Sequence, residues 1–131
     1  MKIGELASRS GCSVQTIRYY EKQQLLPAPS RSEGNFRLYS HTIFEQLMFI
    51  KRCRSLDLTL DEIRELNQFK ASPDKPCDDI NAIIEEHLIQ VKARISELKS
   101  LQTQLLSLRE ACAEDRKVGQ CGILQELSQS S

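Results

Sequence analysis

The spacing of apolar positions divides the chain into short helices, one hairpin and one long helix. Leu6 and Ala7 face inward from a short helix over Gly4–Arg9, and Ser10-Gly11-Cys12 is a turn. Ser13 is a good N-cap, because its hydroxyl can accept an orphan helix N–H. From Val14 to Gln23 the spacing of Val14, Ile17 and Tyr20 or Glu21 predicts a second helix. Two short helices around a glycine-containing turn form a helix-turn-helix pattern. Leu25-Leu26-Pro27 ends it. Phe36-Arg37-Leu38-Tyr39 then alternates apolar and polar like a half-buried strand, with Glu33-Gly34-Asn35 as a hairpin tip, so the helix-turn-helix carries a wing. Ile43, Leu47, Ile50 and Cys53 or Arg54 share one face of a helix over Thr42–Leu56. Thr59 and Glu62 make a capping box that opens another, reaching about Lys70.

Pro73 and Pro76 break the pattern next. From Ile80 to Cys112 there is neither Gly nor Pro, and Ile84, Leu88, Val91, Ile95, Leu98, Gln102, Leu105 and Arg109 alternate steps of four and three. That is a heptad seam. Nothing else in the chain is left to bury such a stripe, so a second copy is expected to cover it; the alternative is packing back onto the front domain. Residues 113–120 are polar and read as a loop, and Cys121-Gly122 leads into a last helical turn with Ile123, Leu124 and Leu127. The expected organisation is mainly α: a winged helix-turn-helix domain over 1–70, a linker over 71–79, a dimerisation helix over 80–112 forming an antiparallel coiled coil, and a short tail over 113–131.

Charge adds to this picture. The 131 residues carry 18 Lys and Arg against 18 Asp and Glu, a net charge of zero. Residues 1–54, however, hold nine basic groups and four acidic ones (Glu5, Glu21, Glu33, Glu45), a surplus of five, and the rest holds the opposite surplus. All seven Phe and Tyr residues precede position 70. A basic, aromatic front points to nucleic acid. No apolar stretch approaches the ~20 residues that span a bilayer, and the first residues lack the apolar run of an export signal, so no membrane partner and a cytoplasmic location are expected. The five cysteines are an odd number and read as core residues, metal ligands or redox groups rather than a disulfide framework.

The front 70 residues resemble the MerR family of winged-helix transcription regulators. The resemblance is carried by Ile3-Gly4-Glu5-Leu6-Ala7, Thr16-Ile17-Arg18-Tyr19-Tyr20-Glu21, Leu25-Leu26-Pro27, Asn35-Phe36-Arg37-Leu38-Tyr39 and Leu60-Asp61-Glu62-Ile63. The back half is similar too, with its proline-broken link, long helix and cysteine-bearing tail. Cys77, Asn81, Glu86-His87, Arg109-Glu110-Ala111-Cys112 and Cys121-Gly122-Ile123-Leu124-Gln125 resemble the lead- and cadmium-responsive branch. The resemblance implies a homodimer that binds an inverted-repeat DNA operator with and without inducer, then distorts it so that RNA polymerase can start. In such a fold the second helix enters the major groove, with Ser13, Gln15, Thr16, Arg18 and Tyr19 outward. Gln and Arg can bond base edges in pairs. Arg37 and Tyr39 on the wing suit phosphate contacts, with Lys22, Arg31, Lys51, Arg52 and Arg54 adding to the field. Tyr20 is expected in the core.

Cys12 and Cys53 read as core residues. Cys77, Cys112 and Cys121 stand at element ends, where ligands converge. A helix over 80–112 is roughly 50 Å long, so Cys77 and Cys112 of one chain cannot share an ion. An antiparallel partner brings its Cys77 beside Cys112 and Cys121, giving two sites per dimer, the arrangement the resemblance also implies. Three thiolates suit soft divalent ions: mercury, cadmium or lead, or zinc given a fourth ligand. The resemblance implies lead or cadmium foremost. The 113–120 loop has neither His nor Cys, which argues against a closed zinc site, and His41 and His87 read as surface residues. Two other readings stay open: a constitutive DNA-binding protein with a structural thiol or zinc site, and a redox sensor. No phosphate loop and no nucleophile–base set is present, so no enzyme is expected.

Overall fold

The structure is a computed structural model that describes residues 1–112 and 117–129. It divides into two compact units, Met1–Ile83 and Ile84–Ser131.

The first unit opens with α1 (Ile3–Ser10) and α2 (Val14–Lys22). The turn between them needs Gly11 at φ 74°, a left-handed conformation that costs glycine nothing. Ser13 caps α2 as expected, accepting the Thr16 N–H at 3.0 Å. Gln24 follows at φ 61°, turning Leu25 and Leu26 into the core. The wing is a two-stranded antiparallel ribbon of β1 (Ser30–Arg31) and β2 (Arg37–Leu38), with Ser30 opposite Leu38 and Arg31 opposite Arg37. Its tip closes through Ser32 N–H to the Phe36 carbonyl at 2.9 Å, and Asn35, at φ 65°, takes the left-handed position. The Met1 carbonyl accepts the Tyr39 N–H at 2.7 Å, which ties the wing's base to the start of the chain.

Helix α3 (His41–Ser55) is the hub. Its Ile43, Leu47, Ile50 and Cys53 are buried against Leu6 of α1, Ile17 and Tyr20 of α2, Leu25, Leu26 and Tyr39, and against Leu58 and Ile63 beside and within α4 (Leu60–Lys70). The capping box read from Thr59 and Glu62 is present in both directions. Cys53 is buried as expected, and burial pushes its thiol pKa up. Cys12 is half-buried against the same cluster.

Helix α5 runs Asp78–Glu110, beginning in the first unit and continuing into the second. It starts two residues before the expected Ile80, inside the expected linker. Asp78 and Asp79 supply the reason: acidic side chains in a first turn complement the helix dipole. It ends two residues early. Ala111 N–H to the Leu108 carbonyl and Cys112 N–H to the Arg109 carbonyl are tighter, three-residue bonds, so Cys112 lies just past the helix. No residue of α5 is buried, and its seam is open, Leu98 at 50% and Leu105 at 65% exposure. In the tail, Val118–Gln120 form a 3-10 turn and α6 covers Gly122–Leu127. Of the expected 113–120 loop, residues 113–116 lie outside the described residues.

Tyr39 is 2% exposed and its hydroxyl donates to the Glu21 carboxylate. Burial first, then the hydrogen bond and charge of Glu21, push its pKa up to about 12. The folded state therefore favours the protonated phenol. Its contribution to stability is whole below the ordinary tyrosine pKa of ~10 and is lost as pH rises toward 12. Tyr39→Phe should lower stability near neutral pH by about 1 kcal/mol. It should also remove this component of alkaline unfolding, which denaturant titrations between neutral pH and the alkaline limit would register as a flatter profile.

Candidate nucleic-acid interface and metal site

Four cationic side chains converge beside α2 and the wing. Lys2, Arg18, Arg31 and Arg37 line a shallow concavity of about 520 Å³ with Ile3, Asn35 and Phe36. Arg18 projects from α2 because Ile17 and Tyr20 take the inward positions of the same turn. Gln15 and Tyr19 are exposed beside it. Arg31 donates to the Asn35 carbonyl at 3.1 Å, holding the wing turn, and Lys2 lies over the Phe36 ring at 4.8 Å. Lys2, Asn35 and Phe36 were outside the candidate set. Lys2 precedes the first helix, and only the tertiary fold carries it to the wing.

Several expected DNA-facing residues are occupied by the fold. Ser13 and Thr16 bond each other, hydroxyl to hydroxyl at 2.8 Å, as part of the α2 cap. Tyr39 is corrected: its ring is core and its hydroxyl is held by Glu21, so it does not present a phosphate donor on the surface. Lys51 donates to the Ser10 carbonyl at 2.8 Å and Arg54 to the Leu58 carbonyl at 2.9 Å. Each thus satisfies a carbonyl at a helix end or turn. Lys22 and Arg52 are exposed.

In the second unit the Sγ atoms of Cys112 and Cys121 lie 4.0 Å apart. The 3-10 turn places Cys121 there, through its N–H to the Val118 carbonyl at 3.1 Å. Among the described residues, no group of three His, Cys, Asp or Glu side chains gathers within one chain. Cys77, in the first unit, is exposed at the start of α5, where its carbonyl accepts the Asn81 N–H at 2.9 Å. His41 pairs with Glu45 at 3.2 Å on the surface.

The donor set suits a soft ion. Two thiols with sulfurs 4.0 Å apart could hold one soft ion between them, with a further ligand supplied from elsewhere.

Residues 1–70 match the family described as "MerR HTH family regulatory protein", and residues 44–108 match "MerR, DNA binding". The chain belongs to the MerR family. It is 46% identical to the transcription regulator PbrR691 from Ralstonia metallidurans CH34, solved in complex with lead(II), over 98% of this chain and 99% of that one, with a TM-score of 0.86. It is 40% identical to the HTH-type transcriptional regulator ZntR of Escherichia coli K12, over 99% of this chain and 94% of that protein. It is 35% identical to the mercuric resistance operon regulatory protein of Bacillus cereus, over 96% of each. The chain is therefore a metal-responsive transcription regulator of the MerR type and not an enzyme. MerR regulators bind promoter DNA and act as dimers, and their metal-sensing members take soft metals. Among the described residues, no helix is long and apolar enough to cross a membrane.

One residue outside the expected DNA-facing residues braces α2. Arg64 of α4 donates to the Gln23 carbonyl at 3.0 Å and to its Oε1 at 2.9 Å, bracing the end of α2. Its further bond to Asp61 is largely exposed and adds little. Arg64→Met should cost about 1 kcal/mol in denaturant unfolding. Amide exchange at Gln23, Gln24 and Leu25 should quicken while the Leu47 amide keeps its rate relative to global unfolding.

Proposed function

We propose that this MerR regulator activates heavy-metal resistance genes in response to lead(II) or cadmium(II), acting in the cytoplasm as a homodimer on an inverted-repeat operator. The observation that carries the metal reading is the Cys112–Cys121 pair, with sulfurs 4.0 Å apart and no third ligand gathered beside them among the described residues. Cys77 of a second chain is the third ligand. It has the right chemistry, and the 33 residues of α5 run about 50 Å between it and Cys112 of its own chain. An antiparallel dimer through the exposed seam of α5 brings the ends of the two helices together. The 46% identity to a regulator solved with lead(II) supports the choice of ion.

On DNA, α2 enters the major groove with Gln15, Arg18 and Tyr19 toward the bases, and Ser13 and Thr16 at its start. Arg37, with Arg31 and Lys2, holds phosphates and sets the register. The switch requires that metal prefer one dimer arrangement over another. Closing Cys112 and Cys121 of one chain on the same ion as Cys77 of the other ties the tail of each protomer to its partner. The linked α5 helices then change the separation of the two winged domains. Deforming the duplex costs on the order of 1–6 kcal/mol, within reach of thiolate–metal binding. The distorted promoter is then open to RNA polymerase.

Two measurements test this. Arg18→Ala should weaken operator binding by about 1–3 kcal/mol at matched salt with the fold intact; unchanged affinity makes Arg18 a bystander. Cys77→Ser, Cys112→Ser and Cys121→Ser should each abolish induction by lead and cadmium in a reporter assay yet retain operator binding, whereas Cys12→Ser and Cys53→Ser should still respond. Mixing the Cys77→Ser and Cys112→Ser chains should restore one site per heterodimer. A site built within one chain would show no such restoration.

A further inference from the structure

Gly122 follows Cys121 and opens α6. A Cβ at this position would fall 2.1 Å from the Ala111 carbonyl oxygen, 3.0 Å from its carbonyl carbon and 3.4 Å from the Ala111 Cβ. The first of these is far inside van der Waals contact, and the obstacle is backbone, which cannot rotate aside as a side chain does. Gly4 and Gly119 differ: a Cβ on either meets nothing within 4 Å. Among the described residues Gly11 is the one glycine at positive φ, so Gly122 is required for space and not for an unusual backbone angle.

The two residues in contact are the chain neighbours of the two thiols. Ala111 precedes Cys112, and Gly122 follows Cys121. Both segments are tied down. Ala111 N–H donates to the Leu108 carbonyl at 3.0 Å and Cys112 N–H to the Arg109 carbonyl at 3.3 Å. On the other side Cys121 N–H donates to the Val118 carbonyl, and Gln125 N–H to the Cys121 carbonyl, both at 3.1 Å. A side chain at position 122 would therefore either break these bonds or move the two segments apart.

We infer that Gly122 is a positioning residue of the metal site, whose missing side chain lets the segment bearing Cys121 close against the one bearing Cys112 and so sets the spacing of the two sulfurs. This rests on reading those cysteines as metal ligands. Its consequence is selectivity. Sulfurs held 4.0 Å apart would suit an ion that takes its ligands in a bent arrangement. A side chain at position 122 holds the two segments apart, which should weaken lead(II) binding and leave mercury(II), the ion more tolerant of two sulfurs alone, bound.

The test uses the full-length reduced protein, with Gly122→Ala as the variant and Gly119→Ala as the control. Lead(II) and mercury(II), each alone, are titrated against a competing chelator by thiolate-to-metal absorption, and metal-free operator binding is measured in parallel. In Gly122→Ala, affinity for lead(II) should fall about tenfold or more, the scale seen when the support behind a metal ligand is removed. Mercury(II) affinity, operator affinity and helix content should hold, and Gly119→Ala should match the parent. Gly122→Ala binding lead(II) like the parent overturns the inference. So does equal loss of both metals and of operator binding, which makes Gly122 a folding determinant. A parent that gives no thiolate signal with lead(II) sinks the metal reading itself. The spacing is read independently of metal from the glutathione-buffered equilibrium between the Cys112–Cys121 dithiol and its disulfide, in a Cys77→Ser background. There Gly122→Ala should favour the dithiol, and an unmoved equilibrium overturns the inference.

Discussion

A 33-residue helix with an apolar stripe and no buried residue leaves much of its burial energy unrealised within one chain. Burying a leucine or isoleucine side chain is worth about 1.5–3 kcal/mol, and Ile84, Leu88, Ile95, Leu98 and Leu105 all face water along the seam of α5. MerR regulators act as dimers, and this stripe is the part of the present chain that calls for a partner. In the reading proposed, the same helix also sets the scale of the metal site: it is too long for its two ends to share an ion and exchanges ends with a second copy, so one constraint accounts for both the oligomer and the shared thiolates.

The front unit solves a different problem. Its helices are mostly eight to fifteen residues, too short to persist alone, and its strands are two residues each. It holds together by a small core centred on α3 and by polar groups that close helix ends. Ser13, Ser40 and Thr59 cap three helices, and Lys51, Arg54 and Arg64 satisfy carbonyls at helix ends and turns. This divides the basic residues into two classes that charge counting merges. Lys51, Arg54 and Arg64 spend their donors on the fold. Lys2, Arg18, Arg31 and Arg37 gather at one concavity beside α2, Arg31 also holding the wing turn through the Asn35 carbonyl.

In the tail, local geometry does the work that a core does elsewhere. Two three-residue hydrogen bonds end α5, a 3-10 turn presents Cys121, and a glycine gives the approach room. Six residues of α6 with exposed Leu124 and Leu127 bury little, which leaves the backbone contact of Gly122 with Ala111 a large share in holding the two segments together.

What the sequence determined by itself is what depends on near neighbours along the chain. The period of the apolar positions located α3, with Ile43, Leu47, Ile50 and Cys53 inward, and the stripe of α5. Cap chemistry located the starts of α2 and α4, because a Ser or Thr side chain acts on an N–H two or three residues away. The family and its residue strings were legible for the same reason, as were Cys77, Cys112 and Cys121 as the candidate ligands. The tertiary structure decided matters that join distant positions. It sent Tyr39 into the core against Glu21, although alternation alone left its direction and partner open, and it joined Lys51 to the Ser10 carbonyl. It brought Lys2 to the wing and Arg64 to Gln23, and it pressed Gly122 against Ala111. No periodicity encodes such meetings, because they depend on how separate segments pack, and packing sums weak contacts over residues far apart in the chain.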